Sequence, residues 1–181
     1  MKAYLGAKVM WNPSMTYEEF SDIMKEYLRV CYGDGYEYIY RYILLDNESG
    51  NECGCFQNNH DRPFDMHSKT YLGEHYEEMH SLLCTALGMC RTDAQFERLT
   101  LLYYCAEFMG LSGAYDRLYT NGDSTSKALY EERYTAMWTY MYERDLKIFH
   151  TPDLYSVPDE LDFTVSPMAQ FYGFGSWNGW E

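Results

Sequence analysis

The chain has 181 residues and a formal net charge of −14, from 28 acidic and 14 basic residues. Such an excess of negative charge disfavours a surface that neutralises phosphates or approaches an anionic membrane, so we expect neither nucleic acid nor a membrane as a partner. The sequence also has no signal-peptide pattern and no apolar run approaching the ~18 residues that a membrane span needs.

The amino-terminal third of the chain has helical spacing of its apolar residues. No segment anywhere alternates with period two for long enough to form a strand, so the sequence predicts an all-α protein. The first helix is predicted over residues 2–10, and it stops before Pro13, which has no amide hydrogen and restricts the preceding residue. Thr16 is predicted to open a second helix in a capping box with Glu19, and Gly33 to end it.

A third helix is predicted over residues 34–46, and the longest irregular segment, Asn47 to Ser68, follows it. Loops of this length are usually functional, mobile or packed on something outside the domain. Within it, the stretch "QNNHDRPFDMH" concentrates amides, imidazoles and charged groups, which offer planar sets of donors and acceptors to sugar hydroxyls. The candidate substrate-binding residues are Asn59, His60, Asp61, Arg62 and His67. The alternative is that Asp61 and Arg62 only anchor a surface loop.

Three long helices are predicted after the loop, packed as an antiparallel bundle over residues 70–150. Thr92 with Gln95 is predicted to cap the second of them. The predicted seam positions are Leu72, Tyr76, Met79, Leu83, Ala86 and Cys90 on the first helix, Phe96, Leu99, Tyr103, Ala106, Gly110 and Gly113 on the second, and Tyr130, Tyr134, Met137, Met141 and Ile148 on the third. We expect Gly110 and Gly113, with Gly88 opposite them, to let the backbones approach closely.

These elements predict a single domain of about six helices. Its parts are the first helices (1–48), the long loop (49–69), the three-helix bundle (70–150) and an irregular, aromatic-rich tail (151–181).

Four of the six cysteines lie at or beside apolar helical positions, where a reduced cysteine acts as a small hydrophobe. They are Cys31, Cys84, Cys90 and Cys105. We therefore expect free thiols, with the last three buried, in a reducing and cytoplasmic setting. Cys53 and Cys55 are the one place where a disulfide or a metal can be argued, but a metal site with His60 would lack a fourth ligand at the usual spacing. We predict no metal and no cofactor.

The stretch "HYEEMH" resembles the helix of a zinc protease, but His75 and His80 are five residues apart rather than four. That step turns the two side chains ~140° from each other, so they cannot share one metal, and we assign both to a solvated face. Neighbouring glutamates diverge by ~100°, whereas glycoside hydrolysis needs two carboxylates facing each other across ~5 to 9 Å. We therefore predict no catalytic residue in this chain.

Residues Ala3 to Leu45 carry a resemblance to a known family. The stretch "YLGAKVMWNP", then a helix with an acidic start, then Tyr32-Gly33 and a helix with repeated tyrosines, resembles the carboxy-terminal helical region of a large family of bacterial glycoside-hydrolase-like proteins. That family is related to α-glucuronidases and, more distantly, to β-N-acetylhexosaminidase-type enzymes. The resemblance implies a (β/α)₈ barrel that carries the catalytic carboxylates, and it places the first helix against that barrel.

The resemblance implies that this chain is an accessory module. It would buttress the catalytic barrel of its parent protein, shape one wall of a carbohydrate cleft, and could form a homodimer. The alternative is a self-sufficient helical protein–protein interaction domain with no carbohydrate function, since fold-level analogy alone does not decide function.

Overall fold

The computed structural model describes residues 1–52, 73–144, 163 and 167. Within these residues the regular structure is helical and there is no strand, which confirms the all-α class. The helices are α1 (Lys2–Trp11), α2 (Tyr17–Tyr32), α3 (Tyr36–Glu52), α4 (Tyr76–Gly88), α5 (Asp93–Tyr115) and α6 (Ser124–Glu143). The domain divisions, the number of helices in the whole chain and the three-helix bundle as a unit stay predictions.

The predicted helix caps are confirmed. Thr16 accepts a hydrogen bond from the backbone amide of Glu19 at 3.2 Å, and its own amide donates to the Glu19 carboxylate at 2.8 Å. Gly33 follows α2 with a φ of 74°, a conformation that favours glycine. The side chain of Thr92 accepts from the amide of Gln95 at the start of α5. These caps form because each satisfies a backbone group that the helix end would otherwise leave unpaired.

The predicted start of the long loop, at Asn47, is wrong. Helix α3 continues past Asp46 to Glu52, where the sequence "NESGNE" was expected to be irregular. This run is polar but contains no proline, and its one glycine costs a helix only about 1 kcal/mol, so nothing in it stops a helix already formed. The rest of the predicted loop lies outside the described residues.

Helix α5 lies at the centre of the packing, against α2, α4 and α6, and α4 also packs against α3. Most predicted seam residues are buried there: Tyr76, Met79, Leu83, Ala86, Leu99, Ala106, Gly110, Tyr130, Tyr134, Met137 and Met141. Phe96 is an exception at 52% exposed, since it lies in the first turn of α5, before the helix enters the core. Leu72 and Ile148 lie outside the described residues.

Two of the three glycines expected to permit close approach, Gly110 and Gly88, differ in what surrounds them, and the prediction for Gly113 stays a prediction. A Cβ atom at Gly110 would lie 2.4 Å from the terminal methyl of Met79 and 2.5 Å from Cδ2 of Tyr76, so α4 and α5 do approach closely there. A Cβ atom at Gly88 would meet nothing within 4 Å, so that prediction is wrong. Gly88 is the last residue of α4 and faces solvent, beyond the region where the two helices interlock.

Candidate functional site

A buried carboxylate lies between α4 and α5. Glu107 is only 1% exposed, and its two oxygens are held separately: the hydroxyl of Tyr76 donates to one at 2.6 Å, and Nδ1 of His80 lies 2.7 Å from the other. A carboxylate taken out of water is costly unless such partners satisfy it. We call the surrounding side chains the Glu107 cluster, which consists of Tyr76, His80, Cys84, Tyr103, Glu107 and Arg133.

Helix geometry brings the cluster together. Tyr76, His80 and Cys84 are four residues apart along α4, and Tyr103 and Glu107 are four apart along α5. Residues at this spacing lie on one face of a helix, so two stripes meet where α4 packs on α5. The rings confirm the alignment, with centroids 6.0 Å apart for Tyr76 and His80 and 5.6 Å apart for His80 and Tyr103.

His80 links the buried carboxylate to a thiol. Its Nδ1 faces Glu107, and its Nε2 lies 3.4 Å from Sγ of Cys84. Since an ionised carboxylate only accepts hydrogen bonds, Nδ1 carries the ring hydrogen and Nε2 keeps a lone pair toward the S–H group. This tautomer is assigned from the hydrogen-bond network.

The assignment of His80 to a solvated face is therefore wrong. Its side chain is 18% exposed and is held in the cluster, whereas that of His75 is 38% exposed and lies 3.7 Å from Glu78. The sequence analysis asked only whether His80 could share a metal with His75, which is five residues away. The residue that lies on the same helix face as His80 is Cys84, four residues further along.

Two tyrosines of the cluster are hydrogen-bond donors over a wide pH range. Burial, and then the charge of Glu107, raises the pKa of Tyr76 well above its ordinary value, and the same two causes raise the pKa of Tyr103. Arg133 brings a positive charge near them, with its guanidinium carbon 5.3 Å from the centroid of the Tyr76 ring. Protonated hydroxyls and a guanidinium therefore surround the carboxylate.

The thiol of Cys84 lies at the solvent edge of the cluster. The side chain is exposed, so its predicted burial is wrong, whereas Cys90 and Cys105 are half-buried. Partial desolvation, and then the charge of Glu107, raises the pKa of the Cys84 thiol, against the opposing effects of Arg133 and a hydrogen bond with Tyr103. The four cysteines expected to be thiols are all free in the structure, and Cys53 and Cys55 lie outside the described residues.

The arrangement runs from a buried carboxylate through an imidazole to an exposed thiol. Within residues 1–52 and 73–144, no three histidine, cysteine or acidic side chains are placed to hold one metal ion. The same imidazole instead contacts a proton acceptor on one side and a nucleophile on the other, an order that suits proton transfer.

No family model, curated protein or solved structure matches this chain. The candidate substrate-binding residues Asn59, His60, Asp61, Arg62 and His67 lie outside the described residues, so the predicted sugar contact stays a prediction. Sequence reasoning missed the Glu107 cluster. The four-residue spacing of His80 and Cys84 was the one signal in the sequence that could have found part of it.

A second feature is the exposed surface of helix α1. Helix α1 buries a single side chain, Leu5, at 6% exposed. The other apolar side chains are open to solvent, with Met10 at 85% and Trp11 at 91% exposed. Tyr4 is 41% exposed and stacks on Tyr27 of α2 with ring centroids 5.3 Å apart.

An apolar cavity of about 460 Å³ lies between the start of α1 and helices α2 and α3. Its walls include Leu5, Met24 and Ile39, and a hydroxyl pair, Ser21 with Tyr40 at 2.7 Å, forms part of its lining. Such walls suit apolar groups better than sugar hydroxyls. In the described part of the chain, no helix combines the length and apolar character needed to cross a membrane.

Proposed function

We propose that the chain is an accessory helical module of a glycoside-hydrolase-like protein and that α1 packs against the catalytic barrel of its parent protein. The observation that carries this proposal is the exposure of α1. Apart from Lys2 and Lys8 the helix contains only apolar residues, glycine and one tyrosine, yet only Leu5 is buried. A helix that is apolar all round is ordinarily covered on more than one side.

The exposed side chains are large enough to supply docking energy. Burying one large apolar side chain contributes ~1.5 to 3 kcal/mol, so Met10 and Trp11 together would contribute ~3 to 6 kcal/mol before the cost of association. Trp11 is the stronger candidate anchor, because aromatic side chains dominate interface energetics. Its position at the end of α1, just before the Pro13 turn, leaves its whole ring accessible to a partner.

The rest of the proposal follows from the family resemblance. The barrel would carry the catalytic carboxylates, helices α4 to α6 would form the three-helix bundle of the module, and the segment around His60 and Arg62 would face the sugar cleft. A homodimer through α1 is the competing use of the same surface.

The proposal has two tests, the gene sequence and a binding measurement between the chain and the barrel. The reading frame that precedes Met1 in the gene is expected to encode about 250 residues or more of alternating strands and helices. A promoter in that position would refute the proposal and favour a stand-alone interaction domain.

Two variants test the role of α1. Trp11→Asp should weaken binding of the chain to the purified barrel at least about tenfold, which is ~1.4 kcal/mol. Phe96→Asp is the matched control, because Phe96 is an exposed aromatic residue on α5, 52% accessible, and should leave affinity unchanged. Equal affinity of the Trp11 variant and the wild type would overturn the proposed docking, and a dimer lost only in that variant would assign α1 to self-association.

A further inference from the structure

We propose that Cys84, His80 and Glu107 form a reactive-thiol site that exchanges with small-molecule disulfides, so that Cys84 is a site of reversible covalent modification. This inference does not depend on the proposed docking of α1. It rests on the order of the three groups, on the burial of one end and on the exposure of the other.

The three groups have distinct positions along one hydrogen-bonded line. Glu107 is 1% exposed, His80 is 18% exposed and the Cys84 side chain is exposed. The buried carboxylate fixes the ring of His80 through Nδ1 at 2.7 Å, so Nε2 is aimed at Sγ of Cys84 at 3.4 Å. A nucleophile, a base within reach and a third group that orients the base are the requirements for an activated thiol.

The exchange step balances without another reactant. Nε2 of His80 takes the proton from Sγ of Cys84, and the sulfur attacks one sulfur atom of the disulfide R–S–S–R. The new bond joins Cys84 to one R–S group while the original S–S bond breaks. The leaving thiolate takes the proton back from His80 and departs as R–SH, so one disulfide is consumed and one is formed.

The surrounding groups favour this step. Imidazolium formed at His80 is stabilised by the adjacent carboxylate of Glu107, as an oriented carboxylate does for a catalytic histidine. The hydroxyl of Tyr103 lies 3.4 Å from Nδ1 of His80, and its interaction with the thiol lowers the pKa of Cys84. Because burial raises the pKa of Tyr103 itself, this hydroxyl stays protonated. The thiol itself has a raised pKa, so a thiol without a base would react slowly near neutral pH.

Cys84 is accessible from solution. A sulfur at the solvent edge is accessible to a disulfide that approaches from solution, whereas a buried structural thiol is inert. A small, soluble disulfide such as glutathione disulfide can therefore reach this sulfur.

Cys90 is an internal control. It lies six residues further along the chain, just after α4, and burial raises its pKa as partial desolvation raises that of Cys84. Its thiol donates to the backbone carbonyl of Ala86 at 3.7 Å rather than to an imidazole. The two thiols therefore differ mainly in access and in the presence of a base.

The experiment treats the full chain with glutathione disulfide and follows each cysteine by peptide mass spectrometry. In the wild type, Cys84 should form its mixed disulfide at least about tenfold faster than Cys90. His80→Gln should slow Cys84 about a hundredfold, at the low end of what general bases contribute, and leave Cys90 unchanged. Circular dichroism confirms that the variant is folded. Equal rates at the two cysteines, or an unchanged Cys84 rate in a folded variant, would overturn the proposal.

Discussion

Replacing Gly110 by alanine should destabilise the protein, although alanine is the better helix former. Gly110 lies one turn beyond Glu107 on α5, against α4. An added Cβ would lie 2.4 Å from the terminal methyl of Met79 and 2.5 Å from Cδ2 of Tyr76, whereas carbon atoms pack at about 3.5 to 4.0 Å. One or both neighbours must move by about 1 Å.

The two neighbours differ in how easily they move. Met79 is flexible at its end and can turn its methyl group aside. The Tyr76 ring is held at its hydroxyl by Glu107 at 2.6 Å and is fully buried, so moving it strains the cluster. Overpacking of this kind costs about 1 to 3 kcal/mol, and the helix propensity of alanine returns about 1 kcal/mol. The net loss should therefore be up to about 2 kcal/mol, or a Tm lower by up to about 8 °C.

Gly88→Ala is the matched control for this substitution. An added Cβ at Gly88 meets nothing within 4 Å, so this variant should gain up to about 1 kcal/mol from the same change of residue. Calorimetric melting and urea unfolding of the two variants and the wild type measure the difference. If the Gly110 variant is as stable as the Gly88 variant, α4 and α5 do not pack as closely as their contact at Tyr76 requires, and the reasoning fails.

The hydroxyl groups of two buried tyrosines give a second pair of variants. Tyr76→Phe should lower the free energy of unfolding in urea by about 1.5 to 3 kcal/mol, because it removes the hydrogen bond to the charged Glu107. Tyr130→Phe should be neutral or stabilising, because the Tyr130 hydroxyl has no hydrogen-bond partner among the described residues. Similar losses would contradict this distinction. Several buried tyrosines have a raised pKa in the folded protein, and burial is the first cause of the rise. As the pH rises above about 10, the unfolded state therefore loses the protons of these tyrosines before the folded state does, and stability should fall. These tyrosines are Tyr42, Tyr76, Tyr103 and Tyr130. Urea midpoints at about pH 8 and about pH 11 test this, and equal midpoints would refute it.

The features that the sequence predicted correctly are those decided within one helix. The capping box of Thr16 and the glycine at position 33 depend on residues a few positions apart, and both are present. The inward positions of Leu99 and Tyr134 depend on helical periodicity alone. Their burial confirms that periodicity.

The features that the sequence did not predict depend on contact between helices. Glu107 occupies a buried position of α5 that the seam pattern omitted, and it is stabilised there by groups on α4 that are far away in the sequence. A glutamate in a helix is ordinarily solvent-facing, so its burial could be recognised only after the helices were docked. The end of α3 was missed for another reason, since polar residues predict exposure but do not by themselves end a helix.

The shape of the Glu107 cluster argues against a purely structural role. Two helices can be held together by apolar packing alone, and replacing a buried charge by apolar residues is often neutral or stabilising. A structural network would also end on buried partners, whereas this one runs from Glu107 outward to the exposed thiol of Cys84. The burial of Glu107 therefore has a consequence at the surface. The buried carboxylate fixes the imidazole of His80 so that its free nitrogen faces the thiol of Cys84, which reagents in solution can reach.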